Sequence, residues 1–256
     1  MARRADVHRF FLPPETLKQG RAEFPQAQAH QLANVLRLRP GEQVAVLDNL
    51  GWIYDVELTE VAGKAARGNI LARRLAPNEP RTKLTLYPAL LKSDKLELVL
   101  QKCTELGASG FTPVISDRCN VGSIVSETRR FRWERIILEA SEQSERGRVP
   151  TLHPAAMFSR ACEQVQGRGW SFVAWERGDR PSLKDEISLH LEREAGARPF
   201  AINLFLGPEG GFTDAEIALA SSHGIVPISL GPRILRAETA AIVATTLVMA
   251  YAGDLE

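Results

Sequence analysis

Two glycine-bearing loops near the end of the sequence constrain the fold more than any other stretch. The first is FLGPEGGF, from Phe205 to Phe212, and the second is ISLGPRILRAETAA, from Ile228 to Ala241. Each loop follows an apolar run of strand type, Ala201–Leu206 and Ile225–Leu230, and each opens into a helical pattern. Loops in that position lie at the carboxyl ends of strands, where open α/β sheets bind their ligands.

The first loop is expected to bring bare backbone against a ligand. Gly207, Gly210 and Gly211 carry no Cβ, so the chain can turn sharply there and expose N–H and C=O groups. Thr213 and Glu216 then form a T-x-x-E capping box, which starts a helix. The loop is therefore predicted to be a tight strand-to-helix connection with an accessible backbone.

Apolar side chains surround those backbone groups: Leu204, Leu206, Leu230, Ile234 and Leu235. An apolar slot edged by backbone hydrogen-bonding groups suits a flat heteroaromatic ring such as adenine. A single Gly-Pro turn is most often an ordinary connection, whereas two such turns in neighbouring loops favour a binding site. Neither G-x-x-x-x-G-K-[ST] nor G-x-G-x-x-G occurs, and Glu209 would repel a phosphate. A neutral or cationic ligand fits better, and a sulfonium is one candidate.

The composition is that of a globular protein, with 44% hydrophobic and 25% charged residues. Cys103, Cys119 and Cys162 form no C-x-x-C pair, and the histidines form no H-E-x-x-H motif, so we expect neither a disulfide framework nor a metal site. The opening MARRADVHRFFLPP lacks the apolar region of a secretory signal, and Thr239–Gly253 is too short to span a bilayer. We therefore expect a cytoplasmic protein without a membrane span.

The charge is distributed unevenly along the chain. Residues 1–150 hold 23 Lys and Arg against 18 Asp and Glu, whereas residues 151–256 hold 9 against 13. Contact with a polyanion, if there is any, belongs to the first part. The excess is too mild to distinguish nucleic-acid binding from a solvated surface.

Residues 1–76 are predicted to form a small β-rich domain. Its elements are strands at His8–Leu12, Gln43–Leu47, Gly51–Thr59 and Gly68–Leu75 and a helix at Pro25–Leu36. Trp52, Tyr54 and Val56 belong to a period-two alternation typical of a half-buried strand. Several short strands with one helix suggest a small barrel, which is compatible with RNA binding but not diagnostic of it. The segment Ala76–Pro80 has two prolines and is the best linker candidate.

Residues 77–256 are predicted to form a second domain with a mainly parallel sheet, because strands alternate with helices from Lys83 onward. The predicted strands are Leu84–Leu90, Phe111–Ile115, Trp170–Trp175, Ala201–Leu206 and Ile225–Leu230. The predicted helices are one that Asp94 caps and Gly107 ends, Glu127–Ser144, Ala155–Gln166, Leu183–Glu194 and Ala237–Tyr251. Cys103 faces inward on the first of them and is interpreted as core filler rather than as a nucleophile.

LFLGPEGGFTDAEI together with SLGPRILRAETAAIVA resembles the SPOUT class of methyltransferases. More narrowly, the chain resembles the RsmE family of bacterial 16S rRNA (uracil-N3) methyltransferases. HRFFL, LKSDKLELVLQKCTELG (Leu91–Gly107) and ILEASEQSERGRVP (Ile137–Pro150) match in order, so the similarity spans essentially the whole chain. Ser93 and Glu145 depart from the family pattern, since each stands where members often carry glycine.

The resemblance implies a fold and a reaction. The fold would be α/β, with a SPOUT-type mainly parallel sheet that ends in a trefoil knot and follows a PUA-like β-barrel at residues 1–76. The enzyme would be a homodimer that uses S-adenosyl-L-methionine to methylate N3 of uracil 1498 in 16S rRNA, with the small ribosomal subunit as its partner. Neither a metal nor a membrane would take part.

Three sets of site residues follow. The cofactor-binding set implied by the resemblance is Leu206, Gly207, Pro208, Glu209, Gly210, Gly211, Leu230, Gly231, Ile234, Leu235, Thr239 and Ala240. The catalytic candidates are Arg236 and Glu238. The RNA-binding candidates, chosen by charge and position, are Arg9, Lys92, Arg118, Gln143, Arg146 and Arg148.

The chemistry of uracil gives the two catalytic candidates their roles. The neutral imide nitrogen has no usable lone pair, so the N3 proton must leave before methyl transfer. Arg236 could lie against a carbonyl oxygen and offset the developing negative charge. Glu238 could take the proton, or it could stabilise the positive N-terminal end of the last helix. Arg233 and Arg236 could instead be structural partners of Glu209 and Glu238.

Two other functions stay open from the sequence. One is a SPOUT methyltransferase that modifies another nucleotide or a tRNA, although HRFFL and EASEQSERGRVP favour the uracil-N3 family. The other is a ribosome-assembly module that holds RNA and has a ligand pocket without chemistry. The intact GPEGG and RILRAETA motifs speak against that module.

Overall fold

The structure is a computed structural model, and it describes residues 7–119, 125–178, 180–193 and 201–255. The chain divides into two compact units. The first runs up to Glu79 and also includes Ser141–Val149, and the second comprises Pro80–Ala140 and Pro150–Glu256. The division between Glu79 and Pro80 falls inside the predicted linker. The assignment of Ser141–Val149 to the first unit has no counterpart in the sequence pattern.

The first unit is built on a six-stranded sheet in the order β1-β4-β5-β6-β3-β2. Its strands are β1 (Arg9–Phe11), β2 (Leu17–Lys18), β3 (Arg21–Phe24), β4 (Gln43–Leu47), β5 (Trp52–Ala62) and β6 (Ala65–Leu75). Strands β1 and β4 are parallel, and the other neighbours are antiparallel. The helix α1 (Gln26–His30) continues into a π-helical turn at Gln31–Val35. The sequence did not predict β2 and β3, because strands this short show no clear period.

Strand β5 keeps the predicted alternation on its core face. Tyr54, Val56 and Leu58 all pack in the core cluster of this unit. Ile53 is buried as well but lies outside that cluster. The register against β6 shifts between Asp55 and Val56, where β6 carries one extra residue. The prediction of a half-buried, alternating strand is therefore confirmed from Tyr54 to Leu58.

The second unit contains a six-stranded sheet in the order β10-β8-β7-β13-β12-β14, in which all neighbours are parallel. A second, two-stranded parallel sheet pairs β11 with β9. The strands are β7 (Lys83–Pro88), β8 (Gly110–Phe111), β9 (Val114–Ile115), β10 (Thr151–Leu152), β11 (Ala156–Met157), β12 (Trp170–Ala174), β13 (Ala201–Leu206) and β14 (Val226–Ile228). The prediction of an α/β fold with a mainly parallel sheet is confirmed.

Two predicted elements of this unit are wrong in detail, and Pro113 explains both. The predicted strand Phe111–Ile115 is split into β8 and β9, which belong to different sheets. Proline has no N–H to donate to a ladder, so the chain leaves the main sheet at that point. Strand β9 then pairs with β11, so the predicted helix at Ala155–Gln166 begins only at Phe158.

Helices cover the sheets of the second unit. They are α2 (Ser93–Glu105), α3 (Glu127–Gln143), α4 (Phe158–Val165), α5 (Leu183–Arg193), α6 (Asp214–Ser222) and α7 (Ala237–Tyr251). The capping box of α6 is confirmed, since the Thr213 side chain accepts from the Glu216 N–H and the Glu216 side chain accepts from the Thr213 N–H. The predicted Asp94 cap of α2 is wrong, because Lys92 is the N-cap residue and Asp94 lies in the first turn. The predicted last residue of α5, Glu194, lies outside the described residues.

Helix α7 is largely apolar. It buries Ala241, Ala244, Thr245 and Val248 at helical spacing. The Cys103 thiol lies 3.3 Å from the Thr245 hydroxyl, and burial raises the pKa of that thiol to about 12. Cys103 is therefore a core residue, as predicted. Within the described residues, no helix is both long and apolar enough to cross a bilayer.

The chain after α7 is tied to the start of β7 by one carboxylate. Asp254 Oδ1 accepts the backbone N–H of Arg81 at 2.9 Å, and Oδ2 accepts the backbone N–H of Thr82 at 3.0 Å. Thr82 is fully buried. The two N–H groups precede the first strand of the sheet, so Asp254 fixes both ends of this unit to each other.

Asp254→Ala is expected to lower the free energy of unfolding by about 1–3 kcal/mol, because it leaves these donors without their acceptor. Urea denaturation measures the loss. Asp254→Asn is the matched control, since its amide keeps one acceptor oxygen, and it should lose about half as much. An alanine variant as stable as the parent would show that the tie contributes nothing.

Candidate functional site

Three neighbouring parallel strands end at the same edge of the large sheet. Strand β12 ends at Ala174, β13 at Leu206 and β14 at Ile228. The segments that follow them enclose a cavity of about 400 Å³, a volume that suits a small ligand. Its lining is Lys95, Ala174, Trp175, Glu176, Leu206, Gly207, Pro208, Glu209, Gly211, Ser229, Leu230, Gly231, Pro232, Arg233, Ile234, Leu235, Arg236, Ala237 and Ala240.

Most of the predicted cofactor residues lie in this lining. They are Leu206, Gly207, Pro208, Glu209, Gly211, Leu230, Gly231, Ile234, Leu235 and Ala240. Gly210 and Thr239 do not line the cavity. Arg118 covers Gly210 and donates from Nη1 to the Gly210 carbonyl oxygen at 2.9 Å, while Thr239 is exposed on α7. The two loops therefore meet at one cavity, although they lie on different strands.

The turn of the first loop is built around Gly211. Gly211 has a φ of 67°, a left-handed conformation, and its N–H donates to the Pro208 carbonyl oxygen at 2.9 Å. A Cβ at this position would lie 2.6 Å from Glu176 Oε1. The Glu176 carboxylate, at the end of β12, therefore packs directly against the loop at the end of β13.

The second loop is held locally and leaves an apolar side chain uncovered. Gly231, with a φ of 112°, donates its N–H to Ser229 Oγ at 3.1 Å. Ile234 lines the cavity and is 83% exposed. An isolated apolar side chain with this exposure at a cavity wall offers a surface that a ligand can cover.

One lysine joins the two loops electrostatically. Lys95 Nζ lies 3.3 Å from Glu209 Oε1 in the first loop and 3.8 Å from Glu238 Oε2 in the first turn of α7. The interpretation in which Arg233 and Arg236 pair with these glutamates is wrong, because Lys95 holds that position. Arg233 and Arg236 are exposed and line the cavity.

Glu238, the second catalytic candidate, is not part of the lining. Its Oε2 atom is buried and has no hydrogen-bond partner among the described residues. Lys95 lies beside it and does line the cavity. This placement favours a supporting role at the start of α7 over direct contact with a ligand.

The cavity wall carries charges of both signs. Its acidic side chains are Glu176 and Glu209, and its cations are Lys95, Arg233 and Arg236. Lys95 pairs with Glu209, while Glu176 packs against the first loop. A cationic group of a ligand can lie near the carboxylates, and an anionic group can lie near the two arginines. In the part of the chain that the structure describes, no group of three or more His, Cys, Asp or Glu side chains could hold a metal ion.

The sequence reasoning missed Lys95, Trp175, Glu176 and Ser229. A signal existed for Trp175 and Glu176, because they stand at the carboxyl end of a predicted strand, where the same rule places ligand residues. For Lys95 no local signal existed, since its partners Glu209 and Glu238 lie more than a hundred positions away in the sequence.

The RNA-binding candidates fall into different environments. Lys92 and Gln143 are exposed. Arg148 is exposed and donates from Nη2 to the Leu50 carbonyl oxygen at 2.6 Å. Arg9 Nη2 pairs with Glu145 Oε2 at 2.7 Å, and the Arg9 side chain is 18% exposed. Arg118 keeps its contact with the first loop.

Arg146 is the one candidate that the structure contradicts. It is only 3% exposed, and its Nε and Nη2 atoms donate to Glu79 Oε1 and Oε2 at 3.2 and 3.0 Å. Glu79 also accepts the N–H groups of Gly147 and Arg148. A guanidinium buried in this way cannot reach a phosphate, so Arg146 is a structural residue of the first unit.

The comparisons with known proteins agree with this architecture. A family model described as an RNA methyltransferase domain matches residues 77–249, and one described as an RNA methyltransferase PUA domain matches residues 24–71. The chain is 36% identical over 239 residues to ribosomal RNA small subunit methyltransferase E of Synechocystis sp., with 93% of this chain and 76% of the relative covered. It is 32% identical over 251 residues to the Bacillus subtilis protein of that name, with 94% and 96% covered.

Two solved structures share the fold. One is a ribosomal RNA small subunit methyltransferase E from Neisseria gonorrhoeae bound to S-adenosyl methionine, with a TM-score of 0.84, 31% identity, and coverage of 95% of this chain and 97% of that chain. The other is a methyltransferase from Legionella pneumophila in complex with the bound cofactor SAM, with a TM-score of 0.85, 29% identity, and coverage of 96% and 98%.

Gly211→Ala is expected to destabilise the protein more than Gly224→Ala does. Both glycines have a left-handed φ, 67° and 77°, but a Cβ at position 224 meets nothing within 4 Å. The backbone penalty of about 1–2 kcal/mol should therefore be shared, and displacement of the flexible end of the Glu176 side chain should add a smaller cost. Chemical denaturation measures the difference between the two variants. Equal losses would contradict this prediction and would show that the Glu176 carboxylate moves aside without cost.

Arg146→Gln is expected to lower the free energy of unfolding by about 3 kcal/mol, because it removes the cation that is buried against the largely buried Glu79 carboxylate. Arg148→Gln, at an exposed position two residues further on, should cost about 1 kcal/mol or less, since it loses only the hydrogen bond to Leu50. Urea denaturation of both variants checks the contrast. Comparable, small effects in both variants would contradict a stabilising ion pair between Arg146 and Glu79.

Proposed function

Because the chain belongs to the ribosomal RNA small subunit methyltransferase E family, we propose that it transfers a methyl group from S-adenosyl-L-methionine to N3 of uracil 1498 in 16S rRNA. Family membership follows from the matched RNA methyltransferase domain and from relatives that are more than 30% identical over nearly the whole chain. The resemblance inferred from the two glycine-bearing loops is thereby confirmed at the level of the family.

The observation that carries this proposal is the single cavity to which both loops contribute. Its apolar wall includes Leu206, Leu230 and Leu235, and the turns at Gly207 and Gly231 bring backbone to its edge. A purine ring can lie on such a wall while its polar edges meet backbone groups. Two relatives with this fold carry S-adenosylmethionine in their structures, which supports the same cofactor here.

The charges of the wall also suit this cofactor. S-adenosylmethionine carries a sulfonium, an ammonium and a carboxylate. Glu176 and Glu209 in the lining attract its cationic groups, and the lining arginines Arg233 and Arg236 can meet its carboxylate.

The reaction needs an ionised uracil whose N3 attacks the methyl carbon in line with the sulfonium sulfur. Arg236 lines the cavity and is exposed, so it can meet an incoming base. We assign it the role of offsetting negative charge on a uracil carbonyl oxygen as N3 loses its proton. Glu238 supports this region through Lys95, and orientation of the two reactants supplies much of the remaining acceleration.

The proposal also includes a homodimer and a trefoil knot. Helix α7 has partly exposed apolar side chains at Ile242, Val243 and Leu247, and Tyr251 is 36% exposed. A second copy of the chain could cover this face, which supports a homodimer. The family resemblance further suggests that the segments around the cavity form a trefoil knot.

The first unit, whose sequence matches the PUA domain model, would supply three of the proposed RNA contacts, and the second unit would supply the other two. We propose that Arg9, Lys92, Arg118, Gln143 and Arg148 contact the small subunit, with phosphate contacts made by the cations. An assembled subunit is the expected substrate, and the cytoplasm is the expected location. A module that only holds RNA would bind the same surface without transferring a methyl group.

Saturating S-adenosylmethionine should raise the melting temperature, since ligand at about 100 times its Kd adds roughly 2.7 kcal/mol of stability. Incubation with labelled cofactor and small subunits from a strain that lacks the modification should then give N3-methyluridine at position 1498 by nucleoside mass spectrometry. Absence of a thermal shift would contradict the cofactor assignment. A thermal shift without methyl transfer would favour the RNA-holding module.

Arg236→Ala should lower kcat by about 100-fold, because one donor to a developing negative charge is worth that much in a shielded site. Its effect on the Kd of S-adenosylmethionine should be small. Arg160→Ala is the control, since Arg160 lies on α4, is exposed and pairs with Glu163. Unchanged turnover in Arg236→Ala would remove its catalytic assignment.

A further inference from the structure

Lys95 occupies a position that its own helix disfavours. It lies in the first turn of α2, three residues after the N-cap Lys92, where the helix dipole favours anions over cations. Its side chain is 27% exposed, so it is not simply solvated. Conflicts between local preference and observed position concentrate at functional sites.

The partners of Lys95 explain this position. Glu209 belongs to the loop after β13, and Glu238 belongs to the first turn of α7, so the ammonium bridges two segments that bracket the cavity. The side chains of Glu209 and Glu238 are 24% and 13% exposed, which makes their mutual repulsion poorly screened. Lys95 lowers that repulsion and fixes the separation of the two segments.

Glu238 depends on this lysine. Its buried Oε2 atom has no hydrogen-bond partner among the described residues, and Lys95 Nζ at 3.8 Å is within ion-pair distance of it. A buried carboxylate that loses its cation must be hydrated or neutralised. Hydration would move the first turn of α7, and Arg236 is the N-cap residue of that helix.

We infer that Lys95 is a positioning residue that acts through Glu238 to hold Arg236 at the cavity and that its positive charge also lowers the preference of the cavity for a cationic ligand. This inference rests on the proposed function, because it concerns the same cavity and the same methyl donor. The lysine needs no contact with the RNA or with the reacting atoms.

The two roles of Lys95 predict opposite changes in two measured quantities, the rate of methyl transfer and the preference for a cationic ligand. Removal of the ammonium displaces Arg236, so methyl transfer slows. It also makes the wall more negative, which favours a cationic ligand over a neutral one. S-adenosylmethionine is a net cation, and the product S-adenosylhomocysteine has lost the sulfonium charge. Discrimination between the two should therefore rise while turnover falls.

Lys95→Met tests this with kcat for methyl transfer and with calorimetric Kd values for both compounds. We expect kcat to fall about 100-fold, as for a small misplacement of a reacting group. The preference for S-adenosylmethionine over S-adenosylhomocysteine should increase about fivefold. Lys95→Arg keeps the charge and should retain most of the turnover. Lys102→Met on the same helix is the matched control, since Lys102 pairs with Glu105 and does not line the cavity.

A double-mutant cycle tests the route through Glu238. Glu238→Gln in the Lys95→Met background should cost little further turnover, because the two changes disturb one interaction. This double variant also removes both charges of the ion pair, so it keeps the measurement possible where Lys95→Met alone does not fold.

Three results would overturn the inference. They are unchanged kcat in Lys95→Met, a parallel fall of both affinities together with the melting temperature, and additive losses in the cycle. If the unmodified protein bound no S-adenosylmethionine, the proposed function would fail first and the inference with it. Normal binding and transfer by the unmodified protein, combined with any of the three results, would remove the inference alone.

Discussion

The parallel alignment of β12, β13 and β14 is the constraint on which the site depends. Parallel neighbours present their carboxyl ends at one edge, so three segments far apart in the sequence enclose one cavity. The order matters as well, because β14 pairs with β12 rather than with β13, the strand that precedes it in the chain. Without that crossover, the second glycine-bearing loop would end beside a different strand.

Electrostatics also bear on what the cavity can hold. Lys95 pairs with one carboxylate of the first loop and one of α7, and the exposed arginines lie in the second loop. In the proposed reaction, the carboxylates of the lining face the cationic methyl donor, and Arg236 meets a base that becomes anionic. Such an arrangement would suit transfer of a methyl group from a sulfonium to an ionised nitrogen.

The basic residues of the first unit show why charge alone is a poor guide to nucleic-acid contact. Arg146 and Arg148 are two positions apart in one motif, yet one is buried against Glu79 and the other is exposed. Burial of Arg146 organises Ser141–Val149 within the first unit. A cation buried as Arg146 is cannot reach a phosphate, so the set of RNA-binding candidates is smaller than the sequence suggested.

The sequence by itself determined the features that depend on neighbouring residues. The strand Ala201–Leu206, the capping box at Thr213 and the bounds of Ala237–Tyr251 follow from periodicity and from local hydrogen bonds, so the α/β class and both loops could be predicted. Tertiary structure decided the pairing of Lys95 with Glu209 and Glu238, the burial of Arg146 and the separation of β8 from β9. These three features depend on which distant segments of the chain pack together. An ion pair between residues far apart in the sequence produces no periodic pattern from which it could be predicted.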